Sequence, residues 1–111
     1  MTKSIRGGAL VLAATALLAM PLVAQADNKH VSETLTHANE AVEHGKQGHA
    51  DACMKHAEGA LKHAEAAGVK NPHMDEGVKE LQAAVEHGKA GHADVCTKHA
   101  ENAAMHLAEV K

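Results

Sequence analysis

The stretch His44 to His63, HGKQGHADACMKHAEGALKH, returns as His87 to His106, HGKAGHADVCTKHAENAAMH, and this pair decides how the chain folds. His44, His49, Cys53, His56 and His63 of the first copy become His87, His92, Cys96, His99 and His106 of the second, all displaced by 43 residues. The register extends backwards, carrying His30 onto His73, and breaks only at His37, whose counterpart is Glu80. The chain is therefore an internal duplication, and what is duplicated is a histidine pattern. In each copy the HGKxGH segment interrupts a helical pattern. Its first glycine is placed to end one helix and its second to release the chain into the next. So short a connection makes the flanking helices an antiparallel hairpin.

Working outward, apolar periodicity supplies the helices. The first is predicted from Lys29 to His44, with Val31, Leu35, Ala38 and Val42 on one stripe. The second runs from about His49 to Ala67, with Asp51 in its first turn and Ala50, Cys53, Ala57, Ala60, Ala64 and Ala67 inward. Gly68 and the Asn71-Pro72 pair mark the joint between the copies. The third helix, His73 to His87, carries Met74, Val78, Leu81 and Val85. The fourth, His92 to about Val110, carries Ala93, Cys96, Ala100, Ala103, Leu107 and Val110. The expectation is an all-α, up-down-up-down four-helix bundle built from two duplicated hairpins, repeats of about 30–67 and 73–110. Hairpins that pair between chains are the competing arrangement.

The ends and the composition set further limits. Lys3 and Arg6, an apolar run from Ala9 to Val23 and the sequence Ala24-Gln25-Ala26 have the three parts of a secretory signal peptide. The expected leader is 1–26, cut after Ala26; as a membrane anchor the segment is short and holds Pro21. Residues 27–111 then form one domain with nine lysines against fourteen acids, a net charge of −5 with histidine neutral. That balance argues against nucleic acid and against a basic membrane-surface helix. There is no Phe, Tyr or Trp, and the apolar content is mostly alanine. At ~25 cal/mol per Å² such a core has a thin margin over chain entropy, which metal or dimerisation would widen. A monomer is the expected state, with the protein partner left open. Export implies the periplasm, where two cysteines can oxidise.

The eleven histidines can now be placed. His30, His37 and His44 stand seven apart on the first helix, and His49, His56 and His63 seven apart on the second, each set on one face. With the apolar stripe at heptad positions a and d, the first set falls at c and the second at g, on the same side of an antiparallel pair. Levels match across the hairpin as 44 with 49, 37 with 56 and 30 with 63, in rungs ~10.5 Å apart. The second hairpin pairs His87 with His92, Glu80 with His99 and His73 with His106. Histidines seven apart on one helix are too distant to share an ion, whereas two on facing helices need only bonds of about 2 Å each. The spacing favours several separate sites of low denticity. Glu33 and Glu40, beside His37, are placed to complete coordination or to bind a second ring nitrogen. A face of solvated histidines, copied by duplication, would also repeat. Number, phase and rung matching together argue against it.

Three readings are open for Cys53 and Cys96. Each stands within a turn of two histidines, a thiolate–imidazole set that suits copper or zinc. Each also lies on the apolar stripe, where a free cysteine packs as a small hydrophobe. A Cys53–Cys96 disulfide needs Cα atoms within about 7 Å, tight for diagonal helices but helped by alanine neighbours. Met54, Met74 and Met105 read as packing, since Met54 is Thr97 in the other copy.

The seven-residue histidine repeat, the HGKxGH turn and the KHAE segments at Lys55–Glu58 and Lys98–Glu101 resemble the small metal-binding protein (SmbP-like) family of exported, histidine-rich bundles. The resemblance covers nearly all of the chain after the leader. It implies a periplasmic protein that binds several divalent ions, copper foremost, in metal buffering or tolerance. Carried onto matching positions, it implies ligands at His30, His37, His44, His49, His56, His63, His73, His87, His92, His99 and His106. The two cysteines depart from that family's plain histidine pattern.

The function expected is thus binding of Cu(II), with Ni(II) and Zn(II) as weaker competitors, copper standing highest in the divalent affinity order. Metal should be lost as pH falls below about 6.5, because only neutral imidazole coordinates. The competing reading is an acid-responsive interaction protein, in which protonating eleven histidines moves the charge from −5 towards +6. Haem is disfavoured by the lack of a C-x-x-C-H motif and of aromatic residues. No nucleophile–base–orienter set suggests an enzyme.

Overall fold

A computed structural model describes residues 29–111, so the leader expected over 1–26 lies outside the described residues. Four helices follow one another: α1 (residues 29–46), α2 (Ala50–Ala67), α3 (Pro72–Lys89) and α4 (Ala93–Ala108). No strand occurs among the described residues. The helices make the all-α four-helix bundle expected from the duplication, with α1 on α2, α3 on α4, and α2 also against α3. Among the described residues no helix is long and apolar enough to cross a membrane.

The HGKxGH turns work differently from their sequence reading. Helices α1 and α3 run through Gly45 and Gly88 and end after Lys46 and Lys89. The left-handed residues are Gly48 (φ 85°) and Gly91 (φ 83°), a backbone region that glycine enters without steric penalty. The His49 amide donates to the His44 carbonyl at 3.0 Å and the His92 amide to the His87 carbonyl at 2.9 Å, closing a Schellman-type turn in each copy. Gly45 and Gly88 are needed for another reason: each is buried at a helix crossing. A Cβ on Gly45 would collide with Thr97 Oγ1, and one on Gly88 would lie 2.7 Å from Met54 Cβ. Thr97 and Met54 are themselves counterparts in the duplication, so one close approach has been made twice. The joint between copies follows expectation. Gly68 is left-handed at φ 60°, and the Asn71 side chain accepts from the His73 amide at 2.8 Å as Pro72 opens α3.

The core is narrow and built of small residues. On α2 and α4 the fully buried line is the expected one, Cys53, Ala57, Ala60 and Ala64 facing Cys96, Ala100, Ala103 and Leu107. On α1 it is Thr34, Ala38, Ala41 and Gly45, while Val31, Leu35 and Val42, expected inward, pack half-buried at its edge. The buried line is thus rotated towards the smaller side chains of α1. Thr34 and Thr97 tolerate burial by returning their hydroxyls to the carbonyls of His30 and Ala93, both at 2.7 Å. Leu81 and Leu107 are the largest side chains fully enclosed.

This closeness decides the cysteines. Cys53 and Cys96 form a disulfide between the diagonal helices α2 and α4, their Cα atoms 6.5 Å apart and both residues fully buried. As possible additional metal ligands they are therefore corrected. Each sulfur is bonded to the other in the interior, leaving no thiolate to coordinate and no free cysteine among the described residues.

Candidate metal centre

The turn hydrogen bonds that close each hairpin also place its first histidine pair. In a Schellman-type turn the side chains of the residue after the glycine and of the third residue from the helix end meet, usually as a hydrophobic contact. Here those residues are His44 and His49, with ring centroids 6.3 Å apart, and His87 and His92, 6.2 Å apart. From that anchor the heptad spacing carries the pattern down the hairpin. His37 lies 6.0 Å from His56, His30 lies 6.0 Å from His63, and in the second copy His73 lies 5.8 Å from His106.

The rungs are not isolated. His37 stacks on His63 at 5.0 Å, His44 on His56 at 4.8 Å and His87 on His99 at 5.3 Å, with interplanar angles of 15°, 5° and 7°. Side chains on a helix lean towards its N-terminus, so on antiparallel helices they lean in opposite axial directions. His63 thus rises from the level of His30 towards His37, and His56 from that of His37 towards His44. The first hairpin carries one continuous column, His30, His63, His37, His56, His44, His49. This corrects the expectation of rungs separated by the full seven-residue rise.

Two carboxylates enter the column from α1. Glu33 Oε1 is 3.8 Å from the Nδ1 atoms of both His30 and His63. Glu40 Oε1 is 3.2 Å from His37 Nδ1 and 3.4 Å from His56 Nδ1. In each set, His30/Glu33/His63 and His37/Glu40/His56, one donor atom from each residue lies within 4.8 Å of the others. Two donors bonded tetrahedrally to one ion at ~2.1 Å stand roughly 3.4 Å apart, close to the spacings around Glu40. The Nδ1 atoms of His30, His37 and His44 are buried without a hydrogen-bond partner, Glu40 being near His37 but out of line for one. A buried ring nitrogen left unpaired is costly in a protein at rest, and a bound cation relieves that cost.

A family model described as small metal-binding protein matches residues 1–110. The chain belongs to this family. No curated protein matches the sequence. For a small metal-binding protein the donor chemistry fits: imidazole nitrogen with carboxylate oxygen suits divalent first-row ions. The second hairpin departs from the first. It keeps the pair His73–His106 and the run His92, His87, His99, but Glu80 interrupts them. Glu76 is the counterpart of Glu33 and lies 3.7 Å from the Lys79 amine; the counterpart of Glu40 is Ala83. Of the eleven histidines, His49, His73 and His92 are exposed and the other eight half-buried. Sequence reasoning missed Gly59 and Asn102, which occupy one repeat position beside His37 and Glu80. The signal was available as a difference between the two copies.

Proposed function

We propose that this small metal-binding protein is exported and buffers divalent transition metals in the periplasm, Cu(II) foremost and Ni(II) and Zn(II) more weakly. The ligands are the eleven histidines, and the chain acts as a monomer without catalysis. The observation that carries the reading is the pair of three-donor sets, His30/Glu33/His63 and His37/Glu40/His56, in which the Nδ1 atoms of His30 and His37 have no hydrogen-bond partner. Copper is placed first because nitrogen sites follow the divalent affinity order. The leader expected over 1–26 supports the periplasm. A column of similar sites suits capacity better than turnover.

The test is native mass spectrometry of the disulfide-bonded chain from Asp27, titrated with Cu(II), Ni(II) and Zn(II) at neutral pH. Several retained ions, copper displacing the other two, are expected. H37A/H56A should lose an ion while the fold survives, since both side chains lie on the flank of the core. No ion retained at any ratio would overturn the proposal.

A further inference from the structure

The two copies differ at three positions around the middle of the histidine column. His37, Glu40 and Gly59 of the first copy become Glu80, Ala83 and Asn102 of the second. In the first copy Gly59 makes room for an imidazole, because a Cβ there would stand 3.3 Å from His37 Nδ1. In the second copy that ring is gone, and the Asn102 amide donates to Glu80 Oε2 at 3.2 Å. The same carboxylate lies 3.3 and 3.4 Å from His99 Nδ1, hydrogen-bonded to it. The second copy therefore holds a different arrangement at this level.

An ionised carboxylate only accepts hydrogen bonds. With Glu80 facing its Nδ1, the neutral His99 ring carries its proton there and keeps the lone pair on Nε2. The first hairpin is arranged differently. There the Nδ1 atoms of His56 and His37 both approach one oxygen of Glu40, and the His37 nitrogen has no hydrogen bond. We propose that Glu80 is a positioning residue that holds His99 as its Nδ1–H tautomer, so that His99 offers Nε2 to an ion. The proposal rests on the metal-binding reading above.

Its consequence is two kinds of site in one chain. The first hairpin presents carboxylate oxygen directly among its nitrogens. The second presents imidazole with the carboxylate behind it, an arrangement that fixes ring orientation and raises ligand basicity. His87, stacked on His99 at 5.3 Å, is the neighbouring imidazole for that second site.

The experiment is long-range proton–nitrogen correlation NMR of the disulfide-bonded chain, metal-free and at a pH where imidazole is neutral, followed by Zn(II) titration. Wild type should show His99 as the Nδ1–H tautomer. Glu80→Ala should shift it towards Nε2–H, and Glu80→Gln, whose amide oxygen still accepts, should restore it. On adding Zn(II), the bound-state shift should fall on Nε2 of His99. An Nε2–H tautomer in wild type, a tautomer unchanged in Glu80→Ala, or zinc on Nδ1 of His99 would overturn the proposal. Zinc that moved no imidazole nitrogen would instead defeat the metal-binding reading, and the tautomer would still decide the role of Glu80.

Discussion

Removing the disulfide with C53A/C96A should cost the bundle about 4 kcal/mol. The bridge closes a loop of 43 residues. Chain-entropy theory assigns such a cross-link ~13 cal/mol/K of lost freedom in the unfolded state, or ~4 kcal/mol at 25 °C. A domain of this size is stable by roughly 4–12 kcal/mol in all. This one has no aromatic residue and only two large side chains, Leu81 and Leu107, among its fully enclosed hydrophobics. The bridge is therefore expected to supply a large share of the margin, and its loss to lower Tm by roughly 16–32 °C. The assay is thermal and urea unfolding followed by helical circular dichroism, with chelator present, on oxidised wild type, reduced wild type and C53A/C96A. Alanine is chosen because a serine would bury an unpaired hydroxyl. Reduced wild type keeps the sulfur volume, so its difference from the variant isolates packing and its difference from oxidised wild type isolates the cross-link. If all three unfolded within about 1 kcal/mol of one another, the thin-core reasoning would be wrong.

Three further outcomes are expected. Bound metal competes with protons for imidazole, so the stabilisation given by Zn(II) should be larger at pH 8 than at pH 5. At 100 times the dissociation constant one site adds ~2.7 kcal/mol, so melting with and without Zn(II) at pH 8 and pH 5 would show it, and an equal shift at both would contradict it. Gly45→Ala should destabilise by about 1–3 kcal/mol through its collision with Thr97, and G45A/T97A should recover part of that in urea unfolding. Writing the first copy into the second with E80H/A83E/N102G should add one retained ion in native mass spectrometry; an unchanged stoichiometry would show that this set does not build a site.

Much of this architecture was legible because it is written twice. Seven-residue spacing, helix stripes and the glycine and Asn-Pro punctuation are one-dimensional signals, and they located four helices and all five cross-hairpin histidine pairs. What was hidden depends on distance between helices. Whether Cys53 meets Cys96 turns on a 6.5 Å Cα separation that only the packing of small residues decides. The burial of Thr34 and Thr97 is not legible in an apolar tally, because it depends on their return bonds to the preceding turn. The histidine column looked like separate rungs because residue numbers give Cα heights and say nothing of the opposed lean of side chains. Gly45 and Gly88 were read as helix stops because their role at the crossings depends on partners half the chain away.

The histidine column lies on the flank of each hairpin, apart from the alanine and disulfide interior. Its length is therefore a design variable that the fold leaves free. Extending both helices of a hairpin by one heptad adds two facing imidazoles and repeats the core pattern, while the turn at one end stays as it is. The number of donor sets in such a molecule scales like the length of a rack, and a longer or shorter relative would be a change in that number without a change of architecture.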